Sequence, residues 1–155
     1  MPNYNYTVNV NTNGGATNLI QIFNIDTVLL CGQSGYDYDE TNTQYRFNSI
    51  EDERKSYEYF NALEQRLKQM STSSARAPYL IVAGHFPVWS IGEHGPTPCL
   101  LSKLRPLLHK YKVNAYFAGH EHDMEHLQDT FMNVTVDYVI SGAANFPKNS
   151  TVHIN

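Results

Sequence analysis

Two stretches of the chain share one pattern: Tyr79-Leu-Ile-Val-Ala-Gly-His85 and Val113-Asn-Ala-Tyr-Phe-Ala-Gly-His-Glu-His122. Each is a short apolar run that ends in glycine and histidine, which is typical of a strand followed by a functional loop. The run at 79–83 is continuous rather than alternating, so it predicts a central strand buried on both faces. Because parallel strands end at the same edge of a sheet, both histidine sites are expected at that edge.

The segment between the two runs predicts a helix. Thr97 is suited to the N-cap and Pro98 to the first helical position, and a leucine stripe follows them. Strand, loop, helix and strand over 79–118 therefore predict a βαβ unit with parallel strands.

The flanking segments predict the remaining elements. Tyr4–Val10 alternates apolar and polar residues, which predicts a half-buried strand, and Asn13-Gly-Gly predicts a turn into a second strand. The sequence also predicts a strand over Leu19–Leu30, an amphipathic helix over Ser49–Met70, and closing strands over Met124–Gln128 and Val134–Ser141.

The histidines supply the candidate chemistry. Neutral imidazole is a common ligand for zinc and iron. The spacing of His120 and His122 lets one short loop present two rings to one metal or to two adjacent metals, with His85 at the neighbouring strand end. A packed or exposed histidine pair is the alternative. His94 could donate a proton to a leaving group or hold a phosphate oxygen, or it could be a plain surface residue.

The remaining charged candidates have structural alternatives. Glu121 and Glu93 could fix a histidine tautomer, or they could be solvated carboxylates. We expect His109 and His153 at the surface, and His126 either packed or exposed.

Composition limits the class of protein. The chain has 155 residues, 41% of them hydrophobic and 17% charged, which is typical of one globular domain. A net charge of −4 without a basic run argues against a nucleic-acid partner. No apolar run approaches the roughly 20 residues of a transmembrane helix, so no transmembrane segment is predicted.

Signals for the cellular compartment conflict. Met1 is not followed by a signal peptide, which favours the cytosol. Three N-glycosylation sequons favour a secreted protein; they begin at Asn5, Asn133 and Asn149. Cys31 and Cys99 are compatible with one disulfide or with two buried thiols.

Two motifs resemble the purple acid phosphatases of the tartrate-resistant type, within the calcineurin-like metallophosphoesterases. They are Val82-Ala-Gly-His-Phe-Pro-Val-Trp-Ser-Ile-Gly-Glu-His-Gly-Pro-Thr97 and Gly119-His-Glu-His122. Ile25-Asp-Thr-Val-Leu-Leu-Cys-Gly32 and Tyr138-Val-Ile-Ser-Gly-Ala-Ala-Asn-Phe146 also match, and the resemblance runs from about residue 1 to 147. It implies a mixed α/β fold, a metallophosphoesterase β-sandwich flanked by helices.

The resemblance also implies roles for individual residues. His85 and His120 would bind a divalent metal, iron(II) or zinc, and His122 would bind iron(III). His94 would bind phosphate and help to protonate the leaving group of a phosphomonoester or phosphoprotein substrate. Cys31 and Cys99 match the disulfide of the family, which favours a secreted or lysosomal protein.

Three ligand motifs of the family are missing from this sequence: Gly-Asp-x-Gly, Gly-Asp-x-x-Tyr and Gly-Asn-His followed by an acid. We therefore expect residues 1–155 to be the C-terminal portion of one such domain, without its N-terminal βαβ part. That portion would carry half of the ligands of a dinuclear Fe–Fe or Fe–Zn centre and would be inactive alone. It would also leave the central strands of the sheet unpaired and its apolar face uncovered.

Two other functions stay open. One is a truncated, non-catalytic relative that binds a metal or a partner. The weaker one is a structural glycoprotein whose histidines no longer act.

Overall fold

The computed structural model describes residues 5–12, 17–32, 49–74, 76–144, 147 and 150–154. The described elements, in chain order, are β1 (Tyr6–Asn11), β2 (Asn18–Asn24), α1 (Thr27–Leu30), α2 (Ile50–Thr72), β3 (Tyr79–Ala83), α3 (Pro98–Lys110), β4 (Ala115–Ala118), β5 (Met124–Phe131) and β6 (Val134–Ser141). The predicted turn at 13–15 lies outside the described residues. None of the described helices combines the length and the apolar character needed to cross a bilayer.

The described strands form one six-stranded sheet in the order β1-β2-β3-β4-β6-β5. Antiparallel hairpins form its two edges, and β2, β3, β4 and β6 run parallel in the middle. The predicted mixed α/β fold and the parallel βαβ unit over 79–118 are therefore confirmed. Of the two sheets that a β-sandwich contains, the described residues form one.

One face of this sheet carries the core. The apolar stripes of helices α2 and α3 pack on this face, and the side chains between the helices and the sheet are shielded from water. The core includes Tyr59, Leu63, Leu67, Met70, Leu100, Leu104, Leu107 and Leu108 from the helices, and Phe23, Leu80, Val82, Tyr116, Tyr138 and Ile140 from the strands.

The opposite face of the sheet is uncovered in the described structure. Strand register places one apolar row on this face, in which Tyr6, Val8, Val10, Tyr79 and Phe117 are 40–61% exposed. The prediction that 79–83 is buried on both faces is wrong, because only Leu80 and Val82 point into the core. The half-buried strand predicted at the start is likewise an exposed edge strand. We call this surface the open face; it agrees with the expected uncovered apolar face. The expectation of unpaired central strands is wrong, because β2, β3, β4 and β6 pair side by side.

The strand predicted over Leu19–Leu30 ends early. Strand β2 stops at Asn24, and the last apolar residues form the one-turn helix α1. Asp26 causes the change, because its carboxylate accepts the Leu29 N–H at 2.8 Å and so caps the turn. The Leu30 carbonyl then accepts hydrogen bonds from Ser56 of α2 and Lys103 of α3.

We predict that truncation costs more stability on the covered face of the sheet than on the open face. Leu80→Ala should lower the free energy of unfolding by about 2–5 kcal/mol, because it opens a cavity in the core. Phe117→Ala, on the open face, should cost less than about 1 kcal/mol in the same chain, because solvent already reaches the ring. Urea unfolding of both variants, followed by circular dichroism, tests this. Equal losses would show that the open face is buried.

Candidate metal and phosphate site

Hydrogen bonds between the ends of β3 and β4 bring His85 to His120. The Gly84 N–H donates to the Phe117 carbonyl at 3.0 Å, and the Gly119 N–H donates to the His85 carbonyl at 3.0 Å. The ring centroids of His85 and His120 are 5.3 Å apart. The two strand ends thus meet at one edge of the sheet, as the sequence predicts.

Close packing fixes the backbone before His85. A Cβ atom at Gly84 would lie 2.6 Å from the Thr27 Cγ2 and 2.6 Å from the Tyr116 hydroxyl, so no larger residue fits. The Tyr116 hydroxyl donates to the Phe86 carbonyl at 2.7 Å. Burial raises the pKa of Tyr116, which keeps this donor neutral. The backbone on both sides of His85 is therefore held by buried groups.

The corner at His120 is strained. Its φ of +67° is unusual for a residue with a side chain. The Glu121 N–H donates to the Gly119 carbonyl at 2.8 Å, and the Phe86 ring packs 4.4 Å from the His120 ring, centroid to centroid. Strain of this kind costs free energy, and it is often found at functional sites.

Three of the four predicted site histidines lie together. The His94 ring is 4.7 Å from the His120 ring, between centroids, and its side chain is exposed. His122 is exposed as well. The structure thus groups His85, His94 and His120, with His122 beside them on the same corner.

Buried carboxylates hold the loop that carries His94. Glu121 is 2% exposed and accepts the His94 N–H at 2.6 Å. Glu125 is 9% exposed and accepts bonds from three groups of residues 90–92. Neither proposed role for Glu121, fixing a tautomer or standing in solvent, matches this geometry. Glu125 is not among the predicted site residues, because its role depends on loop residues 33 to 35 positions earlier in the chain.

Asp123 lies near both carboxylates and titrates abnormally. Burial, then the charge of Glu125, a hydrogen bond with it and the charge of Glu121, raise its pKa from 3.8 to about 6. Its Oδ1 atom is buried without a hydrogen-bond partner among the described residues. A neutral Asp123 is thus favoured in mild acid.

The described residues do not complete a metal site. Among them, no group of three or more histidine, cysteine, aspartate or glutamate side chains is arranged to hold an ion. His85 and His120 supply neighbouring imidazoles of the right type, but they lack the carboxylate that would bridge two cations. The set therefore fits one side of a metal centre, not a whole one.

The predicted disulfide is present. Cys31 follows α1 and Cys99 lies in the first turn of α3, and their sulfur atoms are bonded. Both residues are buried. The alternative of two free thiols is therefore wrong.

The sequons and the remaining histidines occupy different settings. Asn133 is exposed in the two-residue β5–β6 turn, Asn5 is half-buried, and Asn149 lies outside the described residues. Glycosylation stays a prediction.

His126 is exposed, whereas the prediction of a surface position for His109 is wrong. The His109 ring is 1% exposed and lies 3.0 Å from Asp129 and 2.9 Å from the Val134 carbonyl.

Comparison with known proteins identifies the family. The sequence model of the calcineurin-like phosphoesterases matches residues 2–124. The chain belongs to the calcineurin-like phosphoesterase family. It is 43% identical to human tartrate-resistant acid phosphatase type 5 over 134 residues, which is 86% of this chain and 37% of that protein. The chain thus spans a little over a third of that relative, and the resemblance to purple acid phosphatases is confirmed.

Solved structures agree with the phosphoesterase fold. GAP50, the anchor in the inner membrane complex of Plasmodium, superposes with a TM-score of 0.70 at 23% identity, over 97% of this chain and 41% of that one. A purple acid phosphatase from yellow lupin seeds gives a TM-score of 0.54 at 19% identity, over 89% of this chain and 22% of that one. At these identities the similarity establishes the fold alone.

The abnormal Asp123 in this phosphoesterase chain predicts a pH-dependent stability. Its pKa is raised in the folded state, so between about pH 4 and pH 6 the folded chain keeps a proton that the unfolded chain releases. The contribution of Asp123 to stability therefore falls as the pH rises through this window. Asp123→Asn should raise the free energy of unfolding by about 1 kcal/mol above pH 6, after allowance for solvent screening, and change little below pH 4.

Urea unfolding at pH 4 and pH 7.5 measures this difference. Glu58→Gln, on the exposed face of α2, serves as the comparison. A stabilisation by Asp123→Asn that is the same at both pH values would contradict the prediction.

Proposed function

We propose that the chain is the histidine-bearing part of an acid phosphatase that hydrolyses phosphomonoesters, including phosphoproteins. The convergence of His85, His94 and His120 at the ends of two neighbouring parallel strands carries this proposal. The kinship with an acid phosphatase at 43% identity supports the same chemistry.

Each histidine has a proposed role. His85 and His120 hold a divalent ion, iron(II) or zinc, and His122 holds iron(III). When bound, such ions supply positive charge that binds phosphate and activates water for attack on phosphorus. His94 is exposed beside His120, so its ring can reach a phosphate oxygen and donate a proton to the leaving group.

The isolated chain is proposed to be inactive. Two cations about 3.5–4 Å apart repel each other strongly unless bridging carboxylates offset their charges. The described residues provide no such bridge near the histidines. The remaining ligands would come from a polypeptide that corresponds to the N-terminal half of the same domain.

The open face is the surface proposed to receive that second half. It extends across β1, β2, β3 and β4 and is apolar at most positions, which is unusual for a surface exposed to water. In this proposal residues 1–155 form the C-terminal portion of one domain, and the partner sheet completes a β-sandwich.

A secreted or lysosomal location is proposed as well. The Cys31–Cys99 disulfide persists in oxidising compartments and is rare in the cytosol. The exposed sequon at Asn133 fits the same location.

A second candidate function is a non-catalytic relative that binds one metal or a protein partner. The observation that favours it is the incomplete ligand set among the described residues. This candidate predicts that supplying the missing half restores no activity.

Fusion to the missing half separates the two functions. The 155-residue chain alone, loaded with iron and zinc, should not hydrolyse p-nitrophenyl phosphate. We expect activity when it is joined to the part of the human relative that precedes the matched segment. His122→Ala in the fusion should lower kcat by at least about 100-fold, because a lost ligand removes transition-state charge stabilisation. His126→Ala, on an exposed histidine, is the matched control.

Two results would contradict the phosphatase proposal. One is a folded, metal-loaded fusion without activity. The other is an activity that His122→Ala leaves unchanged.

The same fusion tests whether the open face becomes covered. Phe117→Ala should cost about 3–5 kcal/mol of stability in the fusion, because the ring would then lie in a core. The measurement is chemical unfolding of the fusion with and without the substitution. A cost as small as that expected in the chain alone would place the second half elsewhere.

A further inference from the structure

Glu121 joins the His120 corner to the loop that carries His94. Its carboxylate is buried, and its Oε1 atom accepts the His94 N–H at 2.6 Å. Hydrogen bonds to an ionised acceptor are short and roughly twice as strong as neutral ones. Glu121, the residue that follows His120, therefore fixes the backbone of His94.

Glu125 holds the preceding part of the same loop. Its Oε1 accepts the Ser90 hydroxyl at 2.8 Å and the Gly92 N–H at 3.2 Å, and its Oε2 accepts the Ile91 N–H at 3.0 Å. Residues 90–92 belong to no helix or strand, so no ladder partner serves these N–H groups. The Gly92 N–H also donates to the Ser90 hydroxyl oxygen at 2.9 Å. Glu125 thus replaces the missing backbone pairing for Ile91 and shares that role with Ser90 for Gly92.

The loop lies directly against these carboxylates. A Cβ atom at Gly92 would be 2.6 Å from the Glu121 Oε2 and 2.9 Å from the Asp123 Oδ2. A side chain at this position would have to displace these carboxylates, including the one that accepts the His94 N–H.

We infer that Glu121 and Glu125 are positioning residues that set the distance between His94 and His120. We call the pair the carboxylate clamp. The part played by His94 at phosphate rests on the proposed function, whereas the clamp itself rests on the four hydrogen bonds. A misplacement of about 1 Å in a catalytic group can cost about 100-fold in rate, so the clamp bears directly on proton donation to the leaving group.

Nuclear magnetic resonance of the 155-residue chain tests the clamp without requiring activity. We expect a His94 amide proton that is shifted downfield and protected from exchange, and a nuclear Overhauser effect between the His94 and His120 rings. Glu121→Ala should abolish the protection and the ring contact. Glu121→Gln keeps the size and one acceptor oxygen, so it should restore part of both signals.

Two further variants refine this measurement. Glu125→Gln should reduce the protection of the Ile91 and Gly92 amides first. Glu58→Gln, on the exposed face of α2, is the control and should change none of these signals. An unprotected His94 amide in the unsubstituted chain, or one that Glu121→Ala and Glu121→Gln leave unaltered, would overturn the inference.

A titration with inorganic phosphate separates the clamp from the proposed function. In the zinc-loaded fusion of the chain with the N-terminal part of the human relative, Glu121→Ala should raise the Kd for phosphate, measured from the shift of the His120 ring, roughly tenfold. This is the effect of about one lost hydrogen bond to an anion. With His94→Ala already present, Glu121→Ala should have no further effect. An equal loss in both backgrounds indicates general structural damage and overturns the positioning role. If phosphate shifts no resonance of the zinc-loaded fusion while the His94 amide still responds to Glu121, the clamp stands and the proposed function fails.

Discussion

The parallel pairing of β3 with β4 is the constraint on which the site depends. Two strands in parallel end at the same height, and the crossed hydrogen bonds at Gly84 and Gly119 continue the pairing one residue beyond each strand. His85 and His120 therefore become neighbours although they lie 35 positions apart in the sequence. The α3 crossover makes this arrangement possible, because parallel strands need a long connection. The connection itself carries His94.

Two carboxylate side chains are buried at this edge of the sheet. Glu121 and Glu125 are surrounded by protein, and the partners described for their oxygens are loop N–H groups, one hydroxyl and the Asp123 carboxyl rather than cationic side chains. Burial of a carboxylate is tolerated when such donors satisfy it. The pKa of Asp123 is raised first by burial and then by these two neighbours. The loop geometry and the abnormal titration are therefore two results of the same cluster.

Local signals predicted much of the fold, and long-range contacts decided the rest. The bounds of β3 and β6 follow from apolar runs between turn residues, and short motifs pointed to the family. Helix α1 escaped prediction because the cap of Asp26 outweighs the strand propensity of a β-branched run. The exposure of β3 on the open face was not predicted, since a continuous apolar run has the same sequence pattern whether one or both faces of the strand are covered. The roles of Glu125 and His109 depend on residues 20 to 35 positions away, which no local pattern reveals.

The open face has a thermodynamic consequence. The core between the sheet and helices α2 and α3 consists of residues of this chain. The folded chain can therefore present the open face to a binding partner. Anything that associates with the open face but not with the unfolded chain stabilises it by mass action. A second protein layer, another copy of the chain or a detergent would all act in this way. The apparent melting temperature is then a property of the solution as well as of the sequence, and it rises with the concentration of whatever covers the sheet.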